Sequence, residues 1–206
     1  AGDDDDTVVC DARIPQDAAT LQAAVDAAAF GDVLCTEAGA YPEHLDFGGK
    51  VMQLIGLDGS AATFINGSQT GPVVTFDSGE STSTVLQGFT LTGGFATTGG
   101  GGMIDGASPT LVDVVVTGCA AHNTGGGIHV TSGNPTLDHV AIRGNTADGE
   151  GGGLYVSGAS VTLTNVVVSD NLVMSYGGGI AMQSSSAVLD HVLVAGNQAQ
   201  RAGGGL

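Results

Sequence analysis

Glycine triplets return along this chain at a nearly fixed interval. They close at Gly102, Gly127, Gly153, Gly179 and Gly205, in steps of 25, 26, 26 and 26 residues. Three glycines in a row weaken helix and strand alike, because the backbone gives up most freedom there and offers no side chain to pack. A chain that repeats such a weak element at one period is a stack of equivalent units, each burying its apolar face against the next. The 36 glycines in 206 residues would otherwise suggest disorder.

A second pattern keeps its own register between the triplets: "VLQGFTLTGG", "TLVDVVVTGC", "TLDHVAIRGN", "TLTNVVVSDN" and "VLDHVLVAGN". In the third line the apolar positions are Leu137, Val140 and Ile142. Alternation at Val140 and Ile142 is strand periodicity, and the gap of two after Leu137 breaks it, so a corner lies there. The corner column reads Gly88, Asp113, His139, Asn165, His191. Gly, Asn, Asp and His are the residues that tolerate positive φ, so one backbone requirement accounts for all five. That reading competes with a metal site at His139 and His191. Stacked two rungs apart, roughly 9–10 Å, they are too distant to share an ion. A further column, Gly94, Cys119, Asn145, Asn171, Asn197, predicts stacked amides that satisfy buried turn backbone, with Cys119 a small buried substitute.

Two solenoids accommodate these columns. Leu137 to Asn145 also fits a leucine-rich-repeat core, which would continue into a helical or irregular convex segment. Here "TADGEGGGLYVSGAS" follows, with glycines, a short apolar strand and another turn. The expectation is an all-β, right-handed parallel β-helix with three short strands per rung of about 26 residues, the leucine-rich solenoid being the alternative. The boundaries read as an acidic disordered tail or linker over 1–7 and one β-helix domain over 8–206. Regular repeats run over 100–206 without a C-terminal cap, and a capping helix over 17–30 closes the other end. Asp17 is the expected N-cap, Leu21, Ala24, Val25 and Ala28 the buried face, and Gly31 the stop.

The phrases "LQAAVDAA", "AGAYPEHLDF", "GGKVMQLIG" and "LQGFTLTGG" resemble the opening of bacterial right-handed parallel β-helix proteins of the pectin-lyase-like superfamily. The "GGGI…N" units resemble repeats of bacterial surface and autotransporter-type β-helices. The resemblance implies two functional classes, polysaccharide lyases or hydrolases and non-catalytic surface proteins. In the lyases clustered acids hold calcium and an Arg or Lys is the base; the hydrolases use clustered Asp residues. No catalytic motif of either class maps onto a numbered position. Arg143 has Thr117 and Ser169 as column neighbours and no carboxylate pair, and Arg201 falls in the last corner. No catalytic residue, metal ligand or cofactor is therefore assigned. Asp148, Glu150 and Asp170, on and beside a corner, could hold a weakly bound calcium ion; acids at turns are more often simply solvated.

The 21 acids against 4 bases leave a net charge of −17. Nucleic acid is excluded as a partner, since neutralising phosphates needs clustered Lys and Arg. No apolar run is long enough to span a bilayer. Outward alternation from Ile128, Val130, Leu154 and Val156 puts His129 and Tyr155 side by side, a surface on which a sugar ring could stack; a plain exposed aromatic is the alternative. A threonine column, Thr110, Thr136 and Thr162, ends at Val188. Cys10 and Cys35 each end an apolar run, so a disulfide forms if those runs pair, and two buried thiols are the alternative. The expected protein is an extracellular or cell-surface stalk, adhesin or filament element. Its partners would be surface proteins, glycans, or copies of itself stacked on the uncapped C-terminal end. A carbohydrate-binding or carbohydrate-active protein on the same scaffold is the rival.

Overall fold

The structure, a computed structural model, describes residues 8–206. The acidic stretch 1–7 lies outside the described residues. From Ala12 onward the chain winds as a parallel β-helix, and its strands stack into sheets of eight, seven, six and five strands. One rung passes through Leu154–Ser157, Ser160–Thr164, Val167–Ser169 and Leu172–Val173, which belong to the six-, eight-, seven- and five-stranded sheets in turn. The three expected strands per rung are joined by a fourth, two-residue ladder immediately after the Asn corner. The leucine-rich alternative fails on these same segments, because each of them pairs with its equivalent in the next rung.

The ladders keep the sequence register: Leu137 pairs with Leu163, and Leu163 with Leu189. One expected equivalence is corrected. Gly102 pairs with Ile128, so Gly101 and not Gly102 is the counterpart of Gly127. The glycine interval is then uniform, and the missing residue is absorbed upstream. Ala96 pairs with Ala121 but Thr98 with Thr124, with a register slip between them.

The glycine triplets meet two separate demands. The first glycine turns the chain: Gly125 and Gly151 both have φ of 65°. The next two allow rungs to close on each other. A Cβ on Gly152 would stand 2.6 Å from both Gly178 O and Leu172 O, and one on Gly153 would stand 2.7 Å from Gly179 O. No side chain fits at those separations, so the weakest element of the sequence is where the fold is tightest.

The corner column behaves as its composition requires. Asp113, His139, Asn165 and His191 have φ of 47°, 53°, 53° and 53°, and Gly88 has 78°. In the amide column, Asn145 is fully buried and Asn171 is 1% exposed. Asn171 Oδ1 accepts from the Asn145 N–H at 2.9 Å and from Asn145 Nδ2 at 3.1 Å, while Asn171 Nδ2 donates to Ile142 O at 2.9 Å and to Asn197 Oδ1 at 2.9 Å. Cys119 sits one rung earlier, and its N–H donates to Asn145 Oδ1 at 3.0 Å.

Inside, one apolar core runs along the axis. Leu137, Leu163, Ile142 and Val168 fill the later rungs, and the stacked rings of Phe47 and Phe76, 4.4 Å between centroids, fill the earlier ones. Ala121, Ala147 and Val173 form a separate small cluster behind the five-stranded sheet. Only small side chains fit there, because the glycine triplets bring that ladder so close.

At the N-terminal end the capping helix spans Leu21–Ala27, shorter than the expected 17–30. Its N-cap is Thr20, whose Oγ1 accepts from the Ala23 N–H at 3.1 Å. Asp17 instead accepts from the Arg13 N–H at 2.8 Å in the preceding turn. Glu43 reaches across from a neighbouring loop, and its carboxylate accepts the Leu21 and Gln22 N–H groups at 3.0 Å each. Two of the orphan donors of the first turn are thus satisfied from a distance in sequence, and a carboxylate sits at the positive end of the helix. Leu21, Ala24 and Val25 face the core.

Cys10 and Cys35 are bridged, with Cα atoms 5.7 Å apart. The bridge does not come from pairing of the two apolar runs: Val8 and Val9 are exposed, and the ladder is made by Ala12, Arg13 and Ile14 against Leu34, Cys35 and Thr36. Cys119 is free and 2% exposed, and burial pushes its thiol up to about 11. A thiolate is the reactive form, so Cys119 should resist a disulfide reagent in the native protein and react only as the rungs open. Labelling at neutral pH, with and without denaturant, checks this; fast labelling of the native protein would contradict it.

Candidate functional site

The outward column of the six-stranded sheet runs Met103, His129, Tyr155, Ala181. Parallel in-register pairing places the His129 and Tyr155 rings face to face, 5.1 Å between centroids and 17° from coplanar. They are brought together, but little ring surface is left over. Tyr155 is 8% exposed and its hydroxyl donates to Gln183 Oε1 at 3.0 Å. The His129 ring is held between two hydroxyls, Thr124 Oγ1 at 2.8 Å from Nδ1 and Thr131 Oγ1 at 2.6 Å from Nε2. Burial lowers the His129 pKa from 6.5, with Asp105 and a hydrogen bond at Thr124 pulling the other way.

A pH dependence follows from that shift. The unfolded imidazole binds a proton near pH 6.5 and the folded one only at lower pH, so the contribution of His129 is complete above that value. It is lost as the pH falls from there towards the folded pKa. Denaturation midpoints measured on either side of about pH 6.5 should differ less in His129→Met than in the parent, since Met103 already fits this column. An equal loss in both proteins would remove His129 as a cause.

The remaining candidates stay apart. Arg143 is flanked by Thr117 and Ser169 in its ladder and lines a shallow groove with Ser60, Phe64 and Thr90. Among the described residues the close acid–base contacts all involve histidine: His139 with Asp138 at 2.9 Å, His191 with Asp190 at 2.7 Å, and His122 with Asp148 at 3.5 Å. The first two pair neighbouring residues of one exposed corner. Asp148, Glu150 and Asp170 do not gather, and among the described residues no group of three or more His, Cys, Asp or Glu is placed to hold a metal ion.

One cluster was not legible in the sequence. Phe95 lies on the five-stranded sheet, in a column that continues as Ala120, Thr146, Leu172 and Gln198. It is 41% exposed, and its ring meets His122 edge to face, 4.6 Å between centroids and 69° between planes. Beside the pair, Thr70, Gly71, Pro72 and Thr97 line a shallow, open cleft of about 340 Å³. His44 braces its wall, with Nδ1 2.6 Å from Pro72 O and Nε2 2.8 Å from Thr70 Oγ1. The one available signal was a phenylalanine in "GGFATTGG", beside the 25-residue step.

With rungs, corners and faces described, the class of the protein follows. A family described as a right-handed β-helix region matches residues 80–205. The chain belongs to this right-handed β-helix family. Pectin methylesterase from carrot has a similar fold, with a TM-score of 0.52 and 15% identity over 88% of this chain and 65% of the esterase. The chain thus spans about two thirds of that enzyme's length. Pectin methylesterase from Aspergillus niger gives a TM-score of 0.47 and 12% identity, over 87% of this chain and 67% of the esterase. No curated protein matches the chain. No helix among the described residues is long and apolar enough to cross a membrane.

Proposed function

We propose that this protein is an extracellular or cell-surface β-solenoid that serves as a structural or adhesive rod. The observation that carries the reading is how its polar side chains are used. They bond along the stack or within their own corner: Ser160 with Ser186 at 2.7 Å, the buried amides with one another, His129 with flanking threonines, and Asp138 with His139. Groups spent on holding the rod together are not free to converge on a reacting atom. The Cys10–Cys35 bridge supports an oxidising compartment.

The alternative is a carbohydrate-binding or carbohydrate-active protein. The fold shared with the carrot pectin methylesterase favours it at the level of scaffold, and the Phe95–His122 cleft at the level of surface. Incubation with methyl-esterified pectin and with pectate, following methanol release and chain length, separates the two. No turnover is expected from the rod. Turnover that disappears in Arg143→Ala would replace the structural reading with the enzymatic one.

A further inference from the structure

The cleft beside Phe95 combines three features. The first is an exposed aromatic ring on an outward column otherwise filled by Ala, Thr, Leu and Gln. An aromatic side chain left 41% exposed forgoes part of its burial energy. Here its orientation is restrained as well, because the His122 ring packs against it in a T-shaped pair, 4.6 Å between centroids. The second is a rigid polar wall: His44 ties Thr70 to the Pro72 carbonyl. The third is the register slip between Ala96 and Thr98, which interrupts the ladder at the cleft itself. Irregularities of this kind re-aim side chains next to sites.

A fixed aromatic face beside a few polar groups suits a ring with one apolar face and hydroxyls at its edge. Nucleobases and sugars both offer such a ring. Bases arrive on a phosphate backbone, and acidic sugars carry carboxylates. A chain of net charge −17, with Asp148 3.5 Å from His122, repels both. A neutral hexose carries no such penalty, and a cleft of about 340 Å³ has room for one ring.

We propose that the cleft formed by Phe95, His122, Thr97 and the 70–72 loop binds a neutral hexose unit of a polysaccharide, stacked on the Phe95 ring. The proposal deepens the glycan-binding reading above and rests on it. Phe95 is the stacking platform, and the hydroxyl of Thr97 and the ring of His122 meet the sugar hydroxyls. His122 remains available for this because its contact with Asp148 is long.

Calorimetric titration of the whole chain with neutral hexaoses (β-glucan, mannan and galactan), with oligogalacturonate as the charged counterpart, tests it. At least one neutral hexaose should bind saturably, and oligogalacturonate more weakly or not at all. Phe95→Ala should weaken binding about tenfold, whereas Phe95→Trp keeps or tightens it. Thr162→Ala, on a different sheet, should leave binding unchanged. Thermal melting of each variant shows that the fold is kept. If Phe95→Ala melts early, Thr97→Trp decides instead by filling the cleft: lost binding supports the site, and retained binding overturns it. Binding unaffected by Phe95→Ala overturns the site while leaving the glycan reading standing. Stronger binding of oligogalacturonate overturns the ligand class. No binding of any neutral hexaose overturns the site, and the glycan reading falls with it if oligogalacturonate also fails to bind.

Discussion

Asn171→Ala is expected to cost about 3–5 kcal/mol of unfolding free energy, a large share of the total for a domain of ordinary stability. The side chain makes four hydrogen bonds inside the solenoid, to Asn145 N–H, Asn145 Nδ2, Ile142 O and Asn197 Oδ1. Truncation strands the buried Asn145 N–H and takes one donor from the Ile142 carbonyl, which stays in its ladder with the next rung. Their former partner is only 1% exposed, so water has little access. Asn145 Nδ2 keeps Val116 O, and Asn197 Oδ1 keeps the Asn171 N–H, so those ends do not add to the loss. Asn171→Asp preserves the shape and removes the donors, so it should be no milder. Thr162→Ala, half buried on the outer face of the same rung, should stay within about 0.5 kcal/mol. Urea denaturation of the four proteins checks the order. A cost below about 1 kcal/mol for Asn171→Ala would show that a water takes the place of the amide.

Glycines of this chain should divide into two groups when replaced by alanine. Gly152→Ala is expected to prevent native stacking or to cost about 4 kcal/mol or more, because the new methyl meets two backbone carbonyls at 2.6 Å. Carbonyls locked in ladders cannot move aside as a flexible side chain would. Gly158→Ala should cost only about 1–2 kcal/mol: its φ of 61° is unfavourable for a Cβ, but nothing lies within 4 Å of it. Gly158→Asn should recover part of that loss, since Asn165 already holds φ of 53° at another corner. Comparable losses at Gly152 and Gly158 would mean that backbone conformation alone, and not close approach, requires the triplets.

The architecture was largely legible because a solenoid writes each structural demand several times. His139 by itself invites a metal reading. Beside Gly88, Asp113, Asn165 and His191 it becomes one member of a left-handed corner, and all five have positive φ. Asn145 and Asn171 were recognisable in the same way, as a column whose amides bond along the stack. The errors fell where the repetition fails. Gly102 was misaligned by one because the run there has four glycines and the register slips upstream. The helix start was placed at Asp17, a good capping residue locally, whereas tertiary contact with Glu43 supports a start at Thr20. In its later rungs the fourth ladder carries only two residues, too few to show alternation.

The candidate site was legible only in part, for the same reason. Neighbouring outward residues such as His129 and Tyr155 follow from the register, because ladder pairing is a one-dimensional rule. Whether their rings remain available does not, since that depends on Gln183, Thr124 and Thr131 closing in from other positions. The cleft at Phe95 joins His44, residues 70–72, Phe95 and His122, drawn from successive rungs at irregular spacings. Periodicity determines what recurs: the rung length, the corners and the buried columns. Where the chain departs from its period, side chains meet only after the rungs have stacked, and only the tertiary structure decides which of them share a surface.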